Sequence, residues 1–263
     1  MSPLDGKVVA VTRAVAQAEA TYTELLRRGA EPLRMPTIEI APRDDLSALT
    51  RALETQPVTR KGRGWLLLTS TNAVKALARL LETRPELADA AHAWQVAVVG
   101  PATADAVIAL GFSPPLTAAE YRAEGLLETL PKDLNGVSVL LPGARKMRAV
   151  LVAGLRDRGA MVEHIVVYDN VLPSPSAWQR GVAELRAGRV DALLLTSGST
   201  AHNLQRILGD EAETLLASVV VAAIGPVTAD VALEVGLRVD VVATPHTLPA
   251  LLDTLEQHLA SQR

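Results

Sequence analysis

The sequence predicts an α/β fold: two similar lobes with parallel sheets flanked by helices, joined by a two-stranded crossover linker. Three observations predict it. First, the chain is written twice. LLLTSTNAVKALARLL from Leu66 returns as LLLTSGSTAHNLQRIL from Leu193, and VAVVGPATADAVIALGF from Val96 returns as VAAIGPVTADVALEVGL from Val221. Second, short Val- and Leu-rich runs without polar alternation read as strands buried on both faces, and they alternate with helical stripes, the pattern of a parallel sheet. Third, two long extended runs punctuated by Pro offer places for the chain to cross between lobes.

The elements follow in order. Val8–Val11 is the first strand, and Val15, Ala18, Tyr22, Leu25 and Leu26 mark a helix by their i, i+3, i+4, i+7 spacing, stopped at Gly29. Glu31–Pro42 is the first extended run. The basic loop Arg60–Gly64 reads as solvated. Leu66–Leu68 is a strand, followed by a helix on Ala73, Val74, Leu77, Leu80 and Leu81. Val96–Val99 is a strand whose helix stops at Gly111. Val137–Leu141 opens the second copy, with a helix ending at Gly159, and Met161–Pro175 is the second extended run. Leu193–Leu195 and Val219–Ile224 are strands, and the last repeated helix stops at Gly236. LLRRGAEP resembles LRDRGAMV and EGLLETL resembles PALLDTL, so the order is A-B-C-D, then A′-B′-C′-D′. A simple tandem would cut near Pro131, where LPKDLNG is too tight for a linker. Crossing at the extended runs gives lobe one as 1–38 plus 174–263, lobe two as 43–168, and linkers at 39–42 and 169–173. Two lobes make a cleft, and function is expected there.

Composition narrows the classes. With 263 residues, 49% hydrophobic and 21% charged, the chain is an ordinary globular one. A net charge of −3 argues against a general nucleic-acid or anionic-membrane binder, and 3% aromatics provide no stacking platform for single strands. The absence of Cys removes disulfides, thiolate metal sites and Cys nucleophiles, and fits a cytoplasmic chain. No signal peptide or membrane span is read in the sequence. The five histidines are scattered and make no metal set. G-x-G-x-x-G after a strand, the Walker lysine and G-x-S-x-G are all absent, which lowers NAD and ATP as cofactors.

Candidate chemistry sits at the strand-to-helix turns, where parallel sheets bind ligands. They are Thr69-Ser70-Thr71-Asn72, Gly100-Pro101-Ala102-Thr103, Thr196-Ser197-Gly198-Ser199-Thr200 and Gly225-Pro226-Val227-Thr228. Each places free N–H groups and a positive dipole end at the crevice, a setting for carboxylates or phosphates. The alternative is that these residues only cap their helices. Arg13 closes its strand, and Arg145 follows LLPGA at the equivalent place, with Lys146 and Arg148 nearby. Each is either a surface cation or a two-pronged carboxylate ligand. Tyr168, in IVVYDNV, lies on the second crossing run, either as hinge packing or as a group reaching ligand.

At these turns and at Tyr168 the sequence resembles the uroporphyrinogen-III synthase family. The strings that carry it, in order, are VTR, LLLTSTNAV, VVGPATADA, VYDNV, LLLTSGSTAHNL, AAIGPVTAD and ATPHTLPALLDTL. The resemblance implies cyclisation of hydroxymethylbilane, a linear tetrapyrrole with eight carboxylates, to uroporphyrinogen III, with loss of water, inversion of the last pyrrole ring and no cofactor. It implies Tyr168 as the acid that assists the leaving hydroxyl, and carries the family's cleft serines and threonines onto Ser70, Thr103, Ser197 and Thr228. Substrate binding is expected at these and at Arg13, Thr71, Asn72, Gly100, Arg145, Gly198, Ser199 and Gly225. Some members carry Arg where this chain has Asn72, so a cationic contact is either missing or supplied by Arg13 and Arg145. A monomer is expected, with transient contact to the preceding pathway enzyme as the protein partner. The rival readings are a two-lobed binding protein for a small anion and a transferase acting on a phosphorylated metabolite.

Overall fold

The computed structural model describes residues 2–55, 64–120, 122–147 and 149–261. Arg60–Arg63 of the basic loop and Arg148 lie outside the described residues. The strands are β1 Val8–Val11, β2 Glu31–Arg34, β3 Glu39–Pro42, β4 Trp65–Leu68, β5 Gln95–Val98, β6 Leu116–Thr117, β7 Ser138–Ala144, β8 Met161–Val171, β9 Ala192–Leu195, β10 Val220–Ala223 and β11 Val241–Val242. The chain divides into two compact units, Met1–Glu39 with Val171–Arg263, and Ile40–Asn170.

The first unit holds a sheet of order β11-β10-β9-β1-β2, parallel throughout. The second holds β3-β8-β7-β4-β5-β6, parallel from β8 to β6. Apart from β3, the second sheet repeats the order of the first: β6, β5, β4, β7 and β8 take the places of β11, β10, β9, β1 and β2. The α/β class with two similar parallel sheets is therefore the observed one.

The apolar runs explain why the sheets carry helices on both faces. Side chains alternate along a strand. In β9, Ala192 and Leu194 enter one core, while Leu193 and Leu195 enter the opposite one. In β4, Leu66 and Leu68 pack on one face and Leu67 on the other. Each fully buried Leu contributes about 1.5–3 kcal/mol of transfer free energy, and only helices on both faces realise it for every residue.

Three sequence expectations need correction. The run Glu31–Pro42 is not one extended element: β2 and β3 are separated by Met35–Ile38, where Thr37 donates its N–H to the Thr12 carbonyl outside the regular ladder. The second run is strand only as far as Val171. In the helix Val15–Arg27, Val15 and Leu26 are exposed; the buried face is Ala18, Thr21, Tyr22 and Leu25, because Leu26 lies about a quarter-turn past Leu25.

Candidate active site

A pocket of about 280 Å³ opens at the carboxyl ends of β4, β5, β7 and β8, within the second unit. Its polar lining is Thr69, Ser70, Arg122, Lys146, Tyr168 and Asn170, and Met147 and Leu151 lie on its apolar side. Each side chain arrives there for a local reason.

Tyr168 is aimed by a β-bulge. β8 pairs with β7 in register as far as Gly143 opposite Val166; then Ala144 faces Tyr168, leaving Val167 as the extra residue. A bulge re-aims the side chain that follows it. Here Tyr168 joins Ile165 and Val167 in the core that contains Leu66 and Leu68, with only 8% of its surface exposed.

Ser70 is the N-cap of the helix Thr71–Thr83. Its Oγ accepts the N–H of Ala73 at 3.3 Å and lies 3.0 Å from the Tyr168 hydroxyl. A serine hydroxyl has one proton to give. Accepting from Ala73 leaves Oγ one proton and one lone pair, so either hydroxyl of the Ser70–Tyr168 pair can be the donor.

The cations differ in what they already hold. Arg122 pairs with Glu120. Arg145, expected as a carboxylate ligand, already holds one: its Nε and Nη2 donate to Asp169 at 2.7 and 3.3 Å, which raises the Arg145 pKa and lowers that of Asp169. Lys146 lines the pocket with no carboxylate partner among the described residues. Arg13, in the first unit, is half-buried; among the described residues its Nε meets only Gln17, at 3.5 Å, and burial lowers its pKa. Among the described residues no carboxylate pairs with it. Arg13 and Arg145 are not equivalent, however. The interval that carries Val8 onto Ser138 and its partner Glu31 onto Met161 carries Arg13 onto Gly143.

The four polar turns do open helices, at Thr71, Pro101, Gly198 and Pro226, with Ser70, Gly100, Ser197 and Gly225 as N-caps. The capping alternative is realised at two of them. Ser197 and Thr200 form a reciprocal capping box, and Ser70 caps through Ala73. The N–H groups of Thr71, Asn72, Gly198 and Ser199 precede the first intrahelical bonds and show no partner among the described residues. Thr103 and Thr228, expected at the site, are buried to the same degree as Tyr168, 7% and 6% exposed against 8%. Of the residues expected at the site, only Ser70 and Tyr168 share the pocket; Thr71, Asn72, Gly100 and Thr103 lie in the same unit outside its lining.

The matching edge of the first unit is bridged by hydrogen bonds of its own. Thr12 donates to the Leu194 carbonyl at 2.6 Å, Thr37 to the Thr200 carbonyl at 3.1 Å, and Asn203 to the Thr37 carbonyl at 2.7 Å. Thr12, Thr37 and Thr200 are buried. The repeat thus keeps its frame and loses its symmetry in the polar groups. Arg122 and Asn170 were not singled out by the sequence, since a pocket assembled from four strand ends leaves no spacing to read.

Among the described residues, no group of three His, Asp or Glu side chains is placed to hold a metal, and no helix is long and apolar enough to cross a membrane. A family model described as uroporphyrinogen-III synthase HemD matches residues 19–253. The chain is similar to the uroporphyrinogen-III synthase of Synechococcus elongatus, with 31% identity over 97% of this chain and 96% of that one. It is 29% identical to the uroporphyrinogen-III synthase of Chlorobaculum parvum, over 90% of this chain and 92% of that one. In fold it is similar to a mutant uroporphyrinogen III synthase of Thermus thermophilus, with TM-score 0.68, 22% identity, and 98% and 100% of the two chains covered. The Helicobacter pylori enzyme gives TM-score 0.59 at 20% identity, with 98% and 100% covered.

Proposed function

The chain belongs to the uroporphyrinogen-III synthase family, and we propose from that premise that the pocket of Tyr168 is where its substrate loses water. Family members are lyases of porphyrin biosynthesis, and this chain is one of them: it cyclises hydroxymethylbilane to uroporphyrinogen III.

The pairing of the Tyr168 and Ser70 hydroxyls, 3.0 Å apart in the pocket lining, carries the placement. The pyrrole nitrogen pushes electrons toward the hydroxymethyl carbon, the C–O bond breaks, and the Tyr168 proton goes to the departing hydroxyl to make water. Ser70 donates to the phenolate that remains, and the positive end of the helix it caps steadies the charge. The proton released from pyrrole carbon when the ring closes restores the phenol. General acids of this kind supply about 10²–10⁴ in rate. The pocket of about 280 Å³ is just below the about 300–1,000 Å³ of sites for drug-sized ligands, so it suits one substituted ring and not a tetrapyrrole. Lys146 takes a carboxylate of that ring. Within the same unit, the N–H groups of Thr71 and Asn72 are further donors for the carboxylates of the substrate. The reading includes a cytoplasmic monomer, which sedimentation tests.

The experiment is incubation with freshly generated hydroxymethylbilane and isomer analysis of the oxidised porphyrin. The type III isomer is expected well above background; type I alone, the spontaneous ring, overturns the assignment.

A further inference from the structure

The two peptide carbonyls that flank the Tyr168 side chain are held by two arginines. The Val167 carbonyl accepts the N–H of Arg43 at 3.1 Å, and the Tyr168 carbonyl accepts the N–H of Arg145 at 3.3 Å. The side chains of the same two arginines converge on one carboxylate. Arg145 reaches Asp169 at 2.7 and 3.3 Å, and Arg43 reaches it at 3.4 Å. Arg43 is itself held from a third side, where Arg79 donates to its carbonyl at 3.1 Å. Asp169 therefore closes two loops of contacts, one through β3's end and one through β7's end, around the residue that precedes it.

We propose that Asp169 is a positioning residue for Tyr168, fixing the bulged backbone so that the phenol keeps its place beside Ser70. An isolated exposed ion pair does little for stability. This one differs because each arginine is also pinned through its backbone N–H to a carbonyl beside Tyr168. Its effect is geometric, and a displacement of about 1 Å at a reacting group costs up to about 10²-fold in rate. The same contacts give Arg145 a supporting place instead of a substrate carboxylate. The inference rests on the reading of Tyr168 as the acid.

The test is steady-state kinetics on Asp169→Asn, Asp169→Glu, Tyr168→Phe and the double variant Asp169→Asn with Tyr168→Phe. Asp169→Asn should lower kcat about tenfold, a fraction of the full misplacement cost, with KM little changed. Asp169→Glu should recover most of the loss. In the Tyr168→Phe background, Asp169→Asn should cost nothing further, because the phenol it positions is gone. Equal fold losses in both backgrounds, or a raised KM at unchanged kcat, would show that Asp169 acts elsewhere and overturn the proposal while leaving Tyr168 as the acid. Full activity of Tyr168→Phe would overturn both. If Asp169→Asn does not fold, Arg43→Gln removes one side of the same bridge, and its loss should likewise vanish in the Tyr168→Phe background.

Discussion

At the scale of single residues, Tyr168 and Ser70 share a hydrogen bond but not a job. Tyr168→Phe keeps the ring among Ile165, Val167 and their neighbours and removes only the hydroxyl. It should lower kcat by about 10²-fold, the low end for a general acid because the pyrrole push is strong, with an unchanged melting temperature. Ser70→Ala removes the hydroxyl partner of Tyr168 and the helix cap together. It should lower kcat less, by roughly the 0.5–1.5 kcal/mol of one hydrogen bond, while costing about 1 kcal/mol of stability as a lost cap. The pair thus separates in calorimetry and kinetics; equal melting temperatures for the two variants would remove the capping role. Both residues were legible in the sequence. Lys146 was legible only as a basic neighbour, because its lack of a carboxylate partner depends on where Asp169, Glu120 and Arg122 come to rest. A second residue-scale prediction concerns Glu24, whose carboxylate accepts from Arg27 and from Arg28 and has its pKa lowered to about 2. The folded value lies below the unfolded one, so the stabilisation is present above the ordinary Glu range of about 4.3 and is lost as pH falls toward about 2. A carboxyl NMR titration should place the Glu24 midpoint near that low value; a midpoint in the ordinary range would mean the arginine forks do not persist.

At the scale of elements, the apolar runs placed β1, β4, β5, β9 and β10 to within a residue, because a strand buried on both faces must be apolar at every position. The bulge was not legible. Nothing in IVVYDNV marks Val167 as the unpaired residue, since a bulge is set by the mismatch between two strands and not by either alone. Arg13 and Arg145 were matched because each follows a strand, but β7 runs on to Ala144, past the residue that corresponds to the end of β1, so the two are not counterparts. Helix ends were legible through glycine, and two of them make a controlled comparison. Gly111 and Gly159 both have φ of +84°, but a Cβ at Gly111 would meet nothing within 4 Å, whereas at Gly159 it would come 2.9 Å from the Cα of Asn135. Gly111→Ala should therefore cost only the left-handed backbone penalty of about 1–2 kcal/mol. Gly159→Ala should cost more, because the Asn135 backbone must also move. Urea midpoints at equal m-values check this; equal losses would mean the turn at Asn135 yields freely.

At the scale of the whole molecule, the repeat made the two-sheet architecture legible, while the lateral order of strands was not, because periodicity within a strand says nothing about which edge it pairs along. The observed order has an energetic consequence. Each unit is built around its own pair of cores, one on either face of its sheet: the clusters around Leu66 and Leu141 belong to the second unit, and those around Leu194 and Leu193 to the first. The second unit is also one uninterrupted stretch, Ile40–Asn170, whereas the first must bring Met1–Glu39 to Val171–Arg263 to complete β1 beside β9. A unit with its own core and no missing strand can fold by itself. The isolated fragment 40–170 should thus show a single cooperative urea transition and dispersed NMR signals, and the intact chain should depart from two-state unfolding, with different transitions for probes in each unit. The fragment keeps Ser70, Lys146 and Tyr168, so a monopyrrole bearing an acetate and a propionate should shift the Tyr168 resonances, and Lys146→Ala should weaken that shift. The fragment holds only one of the two units, and conversion of hydroxymethylbilane to the type III isomer should be lost in it. A fragment that folds and still makes type III would show that residues 40–170 suffice for the reaction.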